Sequence, residues 1–355
     1  MILVTSVNML IVFCSYLSKY RHFKYGLEIG FFLLICFYSV RYNYGNDYFA
    51  YLSSFEEINS YGSFSWILYE PGWVLLNKVF EPLGFFSLVI FLTILQSFVY
   101  YFFIKKYIPT NYYWIAVFVY LFNTDIFLIQ LSMMRQALAI AIVFFSLKYL
   151  QEKKIIAVVA LIILAAQFHK SAYFTLLIVL LPYLKFKIGK ISAIIILSLF
   201  ISLFYIHKYI EPIAAVFVQD SFDEYMVYLD NEEIKLGSGL GVVVQLCFLM
   251  FFLYAVKRQE HNISLFFKIS IISFLFIPLS FVVDLIVRVG MYFSVANIIS
   301  FSYVSKELKQ TLIMKMLFMV LLILFTFHNY INFFYSETYH EFYFDYQTIF
   351  TTHWQ

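Results

Sequence analysis

The sequence predicts an all-α, polytopic integral membrane protein with about twelve crossings, some of them short or re-entrant, and with the N-terminus outside. Three observations predict it. The 355 residues are 63% hydrophobic and only 13% charged, which is more apolar surface than one soluble core can hide. Apolar runs of membrane-helix size recur along the whole chain. Lysines and arginines collect in alternate connections between those runs, the pattern of a cytoplasmic face. The net charge of +3 is small and its basic residues are scattered between runs, so nucleic acid is excluded as a partner. The 23% aromatic share serves either as stacking platforms or as bulk that lipid tolerates. Cys14, Cys36 and Cys247 each lie inside an apolar run without pairing or metal-ligand spacing, so neither disulfide nor zinc chemistry is expected.

The elements follow in order. Runs 1–18 and 26–40 flank the basic turn Lys19-Tyr20-Arg21. The first has no small-residue cleavage site and continues into further runs, so it reads as an uncleaved span. An acidic outward loop of about 41–82 follows. Run 83–104 ends at Lys105-Lys106, run 111–129 returns to the outside, and run 131–150 ends at Lys148 with Lys153-Lys154 behind it. Within 111–129, Asn123-Thr124-Asp125 is an alternative position for the turn. Residues 155–184 are one apolar stretch with lysines at both ends, interrupted at Gln167–Ala172. A single helix would put the two lysine clusters on opposite sides of the membrane, against the charge rule. Two short helices fit, each about 21 Å long at 1.5 Å per residue. Their tip, His169-Lys170-Ser171, then stops inside the outer half of the membrane, which is tolerable only where it lines a protein-enclosed or watery cavity. Runs 191–207, 239–256, 264–283, 289–305 and 312–332 complete the set, with a second outward loop of about 208–238 and an outward-facing tail of about 333–355. No internal repeat is visible, and residues 1–355 read as a single transmembrane domain.

The candidate site lies on the outward side. Arg41 closes the second run, Arg135 opens the fifth, and Arg288 sits at the outer end of the eleventh. A guanidinium holds phosphate oxygens bidentately and never loses its charge, whereas Lys170 acts as a point charge. Three such forks suit a pyrophosphate, and a helix starting near residue 131 adds its positive dipole end at Arg135. The alternative for each arginine is a plain ion pair or snorkelling to headgroups, with Asp284 one turn from Arg288. Asp47, Glu70, Asp125 and Asp284 are the carboxylates in reach. Gly45 permits a turn that brings Asp47 back towards Arg41, and Glu70-Pro71-Gly72 reads as a turn before an amphipathic helix. His169 is a histidine within an apolar stretch at the expected cavity. With a near-neutral pKa it is either a general base or a hydrogen-bonded packing residue.

The order Arg41-x-x-x-Gly45-x-Asp47-Tyr48, Tyr51, Glu70-Pro71-Gly72, Met134-Arg135-Gln136-Ala137-Leu138-Ala139, Phe168-His169-x-Ser171-Ala172 and Arg288 with Tyr292-Phe293 resembles the EpsG-like branch of the Wzy-type polysaccharide polymerases. The resemblance runs from about residue 35 to 305. It implies a multi-pass enzyme of the bacterial inner (cytoplasmic) membrane, with its active site facing the periplasm or outer face. Such an enzyme joins undecaprenyl-diphosphate-linked oligosaccharide repeat units into O-antigen, capsule or exopolysaccharide. On that reading Arg135, Arg288 and Arg41 bind the diphosphate, with Lys170 in support and Glu70 and Asp284 as their partners. His169 takes the proton of the acceptor hydroxyl, with Asp47 in reserve. No cofactor and no metal is expected, since the chain has no spaced ligand cluster. The lipid bilayer and lipid-linked substrates are the partners, and a chain-length regulator and a flippase are implied by the resemblance alone. Two competing classes share the general layout: an O-antigen ligase using the same donor, and a lipid-linked oligosaccharide flippase, which would show two related halves. The Gly-Ser-Gly at 237–239 lacks the spacing of a membrane serine protease.

Overall fold

The computed structural model describes residues 1–60, 69–184, 193–203, 240–256, 261–280, 284–308 and 311–351. The outward loop expected over 208–238, the lysines at 185–190 and the basic pair Lys257-Arg258 lie outside the described residues. What is described is all-α apart from one pair of two-residue strands. Apolar runs form helices here because a helix satisfies its own backbone donors and acceptors where no water can. Two helices, Phe85–Tyr107 and Leu312–Tyr335, are long and apolar enough to cross a membrane; each rises about 35 Å. Ile286–Ser294 and Asn297–Glu307 pass the same test together but are bent by 50° at their junction. The run expected as one span over 289–305 is therefore broken in two. The apolar helices Ile2–Leu17, Ile155–Ala166, Ala193–Leu203 and Leu240–Val256 are shorter, and Pro278 lies inside His261–Ser280.

Several expectations become specific. The Tyr113–Phe122 helix ends at Asn123, so Asn123-Thr124-Asp125 is the turn, its backbone N–H groups at Asp125 and Ile126 donating to the Asn123 side chain. Residues 155–184 are indeed interrupted: Ile155–Ala166 is α-helical, and Lys170–Leu180 continues as a 3₁₀-helix after a turn centred on Phe168 and His169. The run expected to start a helix near 131 is split. A short helix, Leu128–Ser132, ends at Met133, and a new one begins at Met134 and runs to Gln151. Arg135 is thereby moved into the first turn of its helix.

The segment expected as an outward loop over 41–82 is folded in its described residues, 41–60 and 69–82. Helices Tyr48–Ser60 and Pro71–Phe80 bury Trp73, Val74, Phe55 and Ile58 against Leu88, Leu92, Met134 and Leu138, a satellite core under the loop. The tail folds back onto this layer. Gln347–Thr348 pairs antiparallel with Arg41–Tyr42, the Tyr343 hydroxyl donates to the Leu128 carbonyl at 3.2 Å, and the Tyr346 hydroxyl donates to the Phe37 carbonyl. Gly45 makes the junction possible. Its φ of +118° is left-handed, and a Cβ there would stand 2.7 Å from the Ser132 Cβ, so no other residue fits both constraints.

Candidate functional site

Arg135 is where the local structure and the local electrostatics disagree. The first turn of a helix carries the positive end of its dipole and favours anions, yet the Met134–Gln151 helix places an arginine there. Glu70 compensates it. The Glu70 Oε2 accepts from Arg135 Nη1 at 2.7 Å, with side-chain exposures of 12% and 30%. The guanidinium carbon also stands 5.9 Å from the ring centres of both Tyr51 and Tyr69, a two-sided cation–π setting. Bonds to Glu70 and to the Tyr51 hydroxyl use part of the guanidinium's five N–H donors and leave others for a ligand.

Glu70 is delivered by the turn the sequence marks. It sits at the N-cap position with extended backbone, followed by Pro71 in the first helical turn, where its missing N–H costs nothing. Gly72 then lets the chain press against Gln167: its N–H donates to the Gln167 carbonyl at 2.9 Å, and Trp73 N–H shares that oxygen at 3.3 Å. The partner of Arg135 is thus docked two residues before His169.

His169 lies in the turn between the two apolar segments, outside either helix. Its N–H donates to the Ala165 carbonyl and its carbonyl accepts from Ala172 N–H, which fixes the backbone on both sides. The ring Nδ1 is 2.6 Å from Ser171 Oγ, and Ser171 Oγ donates to the Tyr292 hydroxyl at 3.1 Å. With the serine proton directed to Tyr292, the serine oxygen accepts from Nδ1–H, and Nε2 is left as the ring's lone-pair nitrogen. Burial, opposed by Glu70 and reinforced by Arg135 and Arg288, pushes the imidazole down to about 4. The shift is downward from the near-neutral value expected from the sequence, so burial favours the neutral ring.

These groups share one cavity of about 310 Å³, lined by Asp47, Tyr51, Tyr69, Arg135, His169 and Arg288, with Gln136 and Met133 among its walls. The Gln136 amide donates to the Arg288 carbonyl at 2.8 Å, so the two arginine-bearing helices are tied at cavity level. Asp47 is held by its backbone N–H donating to Ser132 Oγ at 2.9 Å.

Arg41 is placed elsewhere. It is 2% exposed and does not line the cavity. Its guanidinium donates to the Tyr38 carbonyl at 2.8 Å, to Thr93 Oγ1 at 2.6 Å and to the Leu131 carbonyl at 3.5 Å. Among the described residues no carboxylate lies within ion-pair distance of it. The Gly45 turn forms, but it does not pair Asp47 with Arg41. Lys170 points to the exposed side and is absent from the cavity lining. The side chain of Asp284, offered as the partner of Arg288, lies outside the described residues. Sequence reasoning gave no role to Ser171, Tyr292, Tyr51 or Tyr69. The first three stand in the quoted motifs, and Tyr69 immediately precedes Glu70, so proximity to charged residues was the available signal.

The arrangement can hold an anion with two oxygens or more between Arg135 and Arg288 and present a neutral imidazole beside it. Among the described residues no three His, Cys, Asp or Glu side chains converge as a metal site requires. Residues 24–348 match the model of the EpsG family. Neither a curated protein nor a solved structure matches the chain.

Proposed function

The chain belongs to the EpsG family, and from that premise we propose that it is a polysaccharide polymerase of the bacterial inner membrane, joining undecaprenyl-diphosphate-linked repeat units on the outer side. Membership and the apolar helices mark it as an integral membrane protein related to exopolysaccharide and O-antigen polymerases. The observation that carries the finer reading is the cavity, in which Arg135, Arg288 and His169 meet.

The donor's anomeric carbon carries undecaprenyl diphosphate. The acceptor hydroxyl of a second lipid-linked unit attacks that carbon, the C–O bond to phosphate breaks, and the electron pair leaves with the diphosphate. Arg135 and Arg288 stabilise the departing charge; preorganised donors of this kind are worth roughly 10²–10³ in rate each. His169 Nε2 takes the hydroxyl proton. Burial makes the imidazole a weak base, and the substrate's diphosphate, an adjacent anion, raises its basicity towards the working range. Glu70 offsets the charge of Arg135 and keeps the fork aimed. Asp47 remains the second candidate base on the cavity wall. Arg41, on its observed bonds, braces three elements around the site and does not touch the ligand. The arginines take the place a divalent cation would hold, so this reading needs no metal.

In the same proposal the lysine-rich connections are cytoplasmic, the N-terminus is outside, and the short helices complete about twelve crossings. A chain-length regulator and a flippase are the expected partners. The test is the surface polysaccharide of a deletion strain run as a ladder. A polymerase predicts that a single repeat unit remains attached; a ligase predicts no chain on the core, and a flippase predicts loss of the unit from the surface. Complementation by the wild type but not by Arg135→Ala at equal membrane levels is the result expected. A full ladder with Arg135→Ala overturns the assignment.

A further inference from the structure

A second cavity, of about 170 Å³, lies apart from the arginine site, between the Tyr113–Phe122, Leu240–Val256, His261–Ser280 and Leu312–Tyr335 helices and the junction of the bent pair. That volume is roughly ten times what one buried water needs. Its lining is unlike its surroundings. Gln245, the single amide of Leu240–Val256, faces it, as do Thr326 and Asn329, which stand three residues apart and so share a face of Leu312–Tyr335. Ser294 and Asn297 line it from either side of the break, and the Asn123-Thr124-Asp125 turn closes one end. Polar side chains in apolar helices are costly and survive where they face a cavity that gives them partners. Here five segments bring theirs to the same space.

The chemistry of the lining selects its ligand. Amides and hydroxyls both donate and accept, Asp125 adds one carboxylate, and among the described residues no Lys or Arg lines the cavity. Phosphate has no cation to meet there. Aromatic rings complete the wall: Phe248 and Phe301 meet edge to face at 5.2 Å between ring centres, and Phe122 and Phe274 flank them. Alternating hydroxyls and C–H faces are what a sugar ring presents to such a wall. The position agrees as well. Ser294 lies six residues beyond Arg288 on one helix, about 9 Å at 1.5 Å per residue.

We propose that this second cavity binds a neutral sugar of the lipid-linked repeat unit while the Arg135 cavity holds its diphosphate; the proposal rests on the polymerase reading. Two arms of one experiment separate their failures. The purified full-length chain is titrated with repeat units extracted from the native host lacking this chain, and separately with undecaprenyl diphosphate carrying no sugar. Combining Gln245→Leu with Asn329→Leu is expected to weaken the repeat unit about tenfold or more, the loss of one or two hydrogen bonds, and to leave undecaprenyl diphosphate unchanged. Arg135→Ala is expected to weaken both. Unchanged repeat-unit binding by the double variant overturns the sugar site and leaves a plain crevice between helices. Unchanged binding of both probes by Arg135→Ala overturns the polymerase reading instead. A double variant that binds neither probe has lost its fold. Thr326→Val then decides, because it keeps the shape and removes one hydroxyl: a threefold loss for the repeat unit alone supports the site, and no loss refutes it.

Discussion

Replacing Gly72 by alanine tests whether the contact between the Glu70 turn and the His169 turn sets the reaction rate. A Cβ built on Gly72 stands 2.8 Å from both the Cβ and the carbonyl oxygen of Gln167, and 3.0 Å from its carbonyl carbon. Two of those three atoms are backbone, so a rotamer change cannot relieve the overlap. Reaching ordinary contact at 3.4 Å requires the two segments to part by about 0.6 Å. Overpacking of this kind costs about 1–3 kcal/mol, and the Gly72 N–H bond to the Gln167 carbonyl, now 2.9 Å, adds about 0.5–1.5 kcal/mol if it breaks. Set against a domain stability of about 5–15 kcal/mol, the chain still folds. The reaction is less forgiving. The same displacement moves Glu70, and through it Arg135, relative to His169, and a misplacement near 1 Å costs roughly 10² in rate. Gly72→Ala is therefore expected to lower turnover of lipid-linked repeat units by about 10- to 100-fold in the purified chain, with the protein still folded and inserted but unfolding several degrees lower. Turnover within twofold of wild type would refute the idea that this contact sets the geometry.

Three further outcomes follow from the site. Arg135→Lys is expected to fail nearly as badly as Arg135→Ala at matched expression, because lysine keeps the charge but not the fork; a full ladder would show that charge alone suffices. His169→Gln is expected to slow turnover by roughly 10²–10⁴. In wild type the acid limb of kcat/KM, which reports the free enzyme, should lie near pH 4, where the buried ring protonates, and the limb of kcat should lie higher, because the bound diphosphate favours the imidazolium. Activity is present above each limb and lost as pH falls through it. A Gln variant retaining more than about a tenth of turnover would pass the role to Asp47. Ending the chain after Ser336 removes Tyr343, Tyr346 and the Gln347–Thr348 strand; the product should insert but give no ladder and unfold at lower temperature, and a wild-type ladder would show the tail to be dispensable.

Much of the site was legible because charged residues stand out in an apolar chain. Arg135, Arg288, Glu70 and His169 were each conspicuous by type alone; the structure brings Arg135, Arg288 and His169 to one cavity and pairs Glu70 with Arg135. Arg41 was equally conspicuous and is not there, since the two carbonyls and the hydroxyl that hold its Nη groups leave no sequence signature. The break at Met133 was not legible, because neither Gly nor Pro marks it and the apolar run continues through it. Nor was the junction at Val295-Ala296, for the same reason. The fold of the 41–82 layer and of the tail depended on pairings between residues some 300 positions apart, which local periodicity does not encode. The tyrosines of both segments were the visible hint, and they pack together: Tyr44 lies 5.1 Å from Tyr343 and 4.9 Å from Tyr346, ring centre to ring centre.

The strand pair between Arg41–Tyr42 and Gln347–Thr348 also sets a timetable. A polypeptide leaves the ribosome from its first residue, at about 5–20 residues per second, so Arg41–Tyr42 is made long before the strand that pairs with it. During that interval the turn at Tyr44 and Gly45 has no Phe342 carbonyl to receive its N–H and no Tyr343 or Tyr346 ring to rest on. A nascent chain therefore lacks this strand pair until residue 348 has been made. Any fusion partner appended behind the Gln347–Thr348 strand must leave it free to reach back to Arg41–Tyr42.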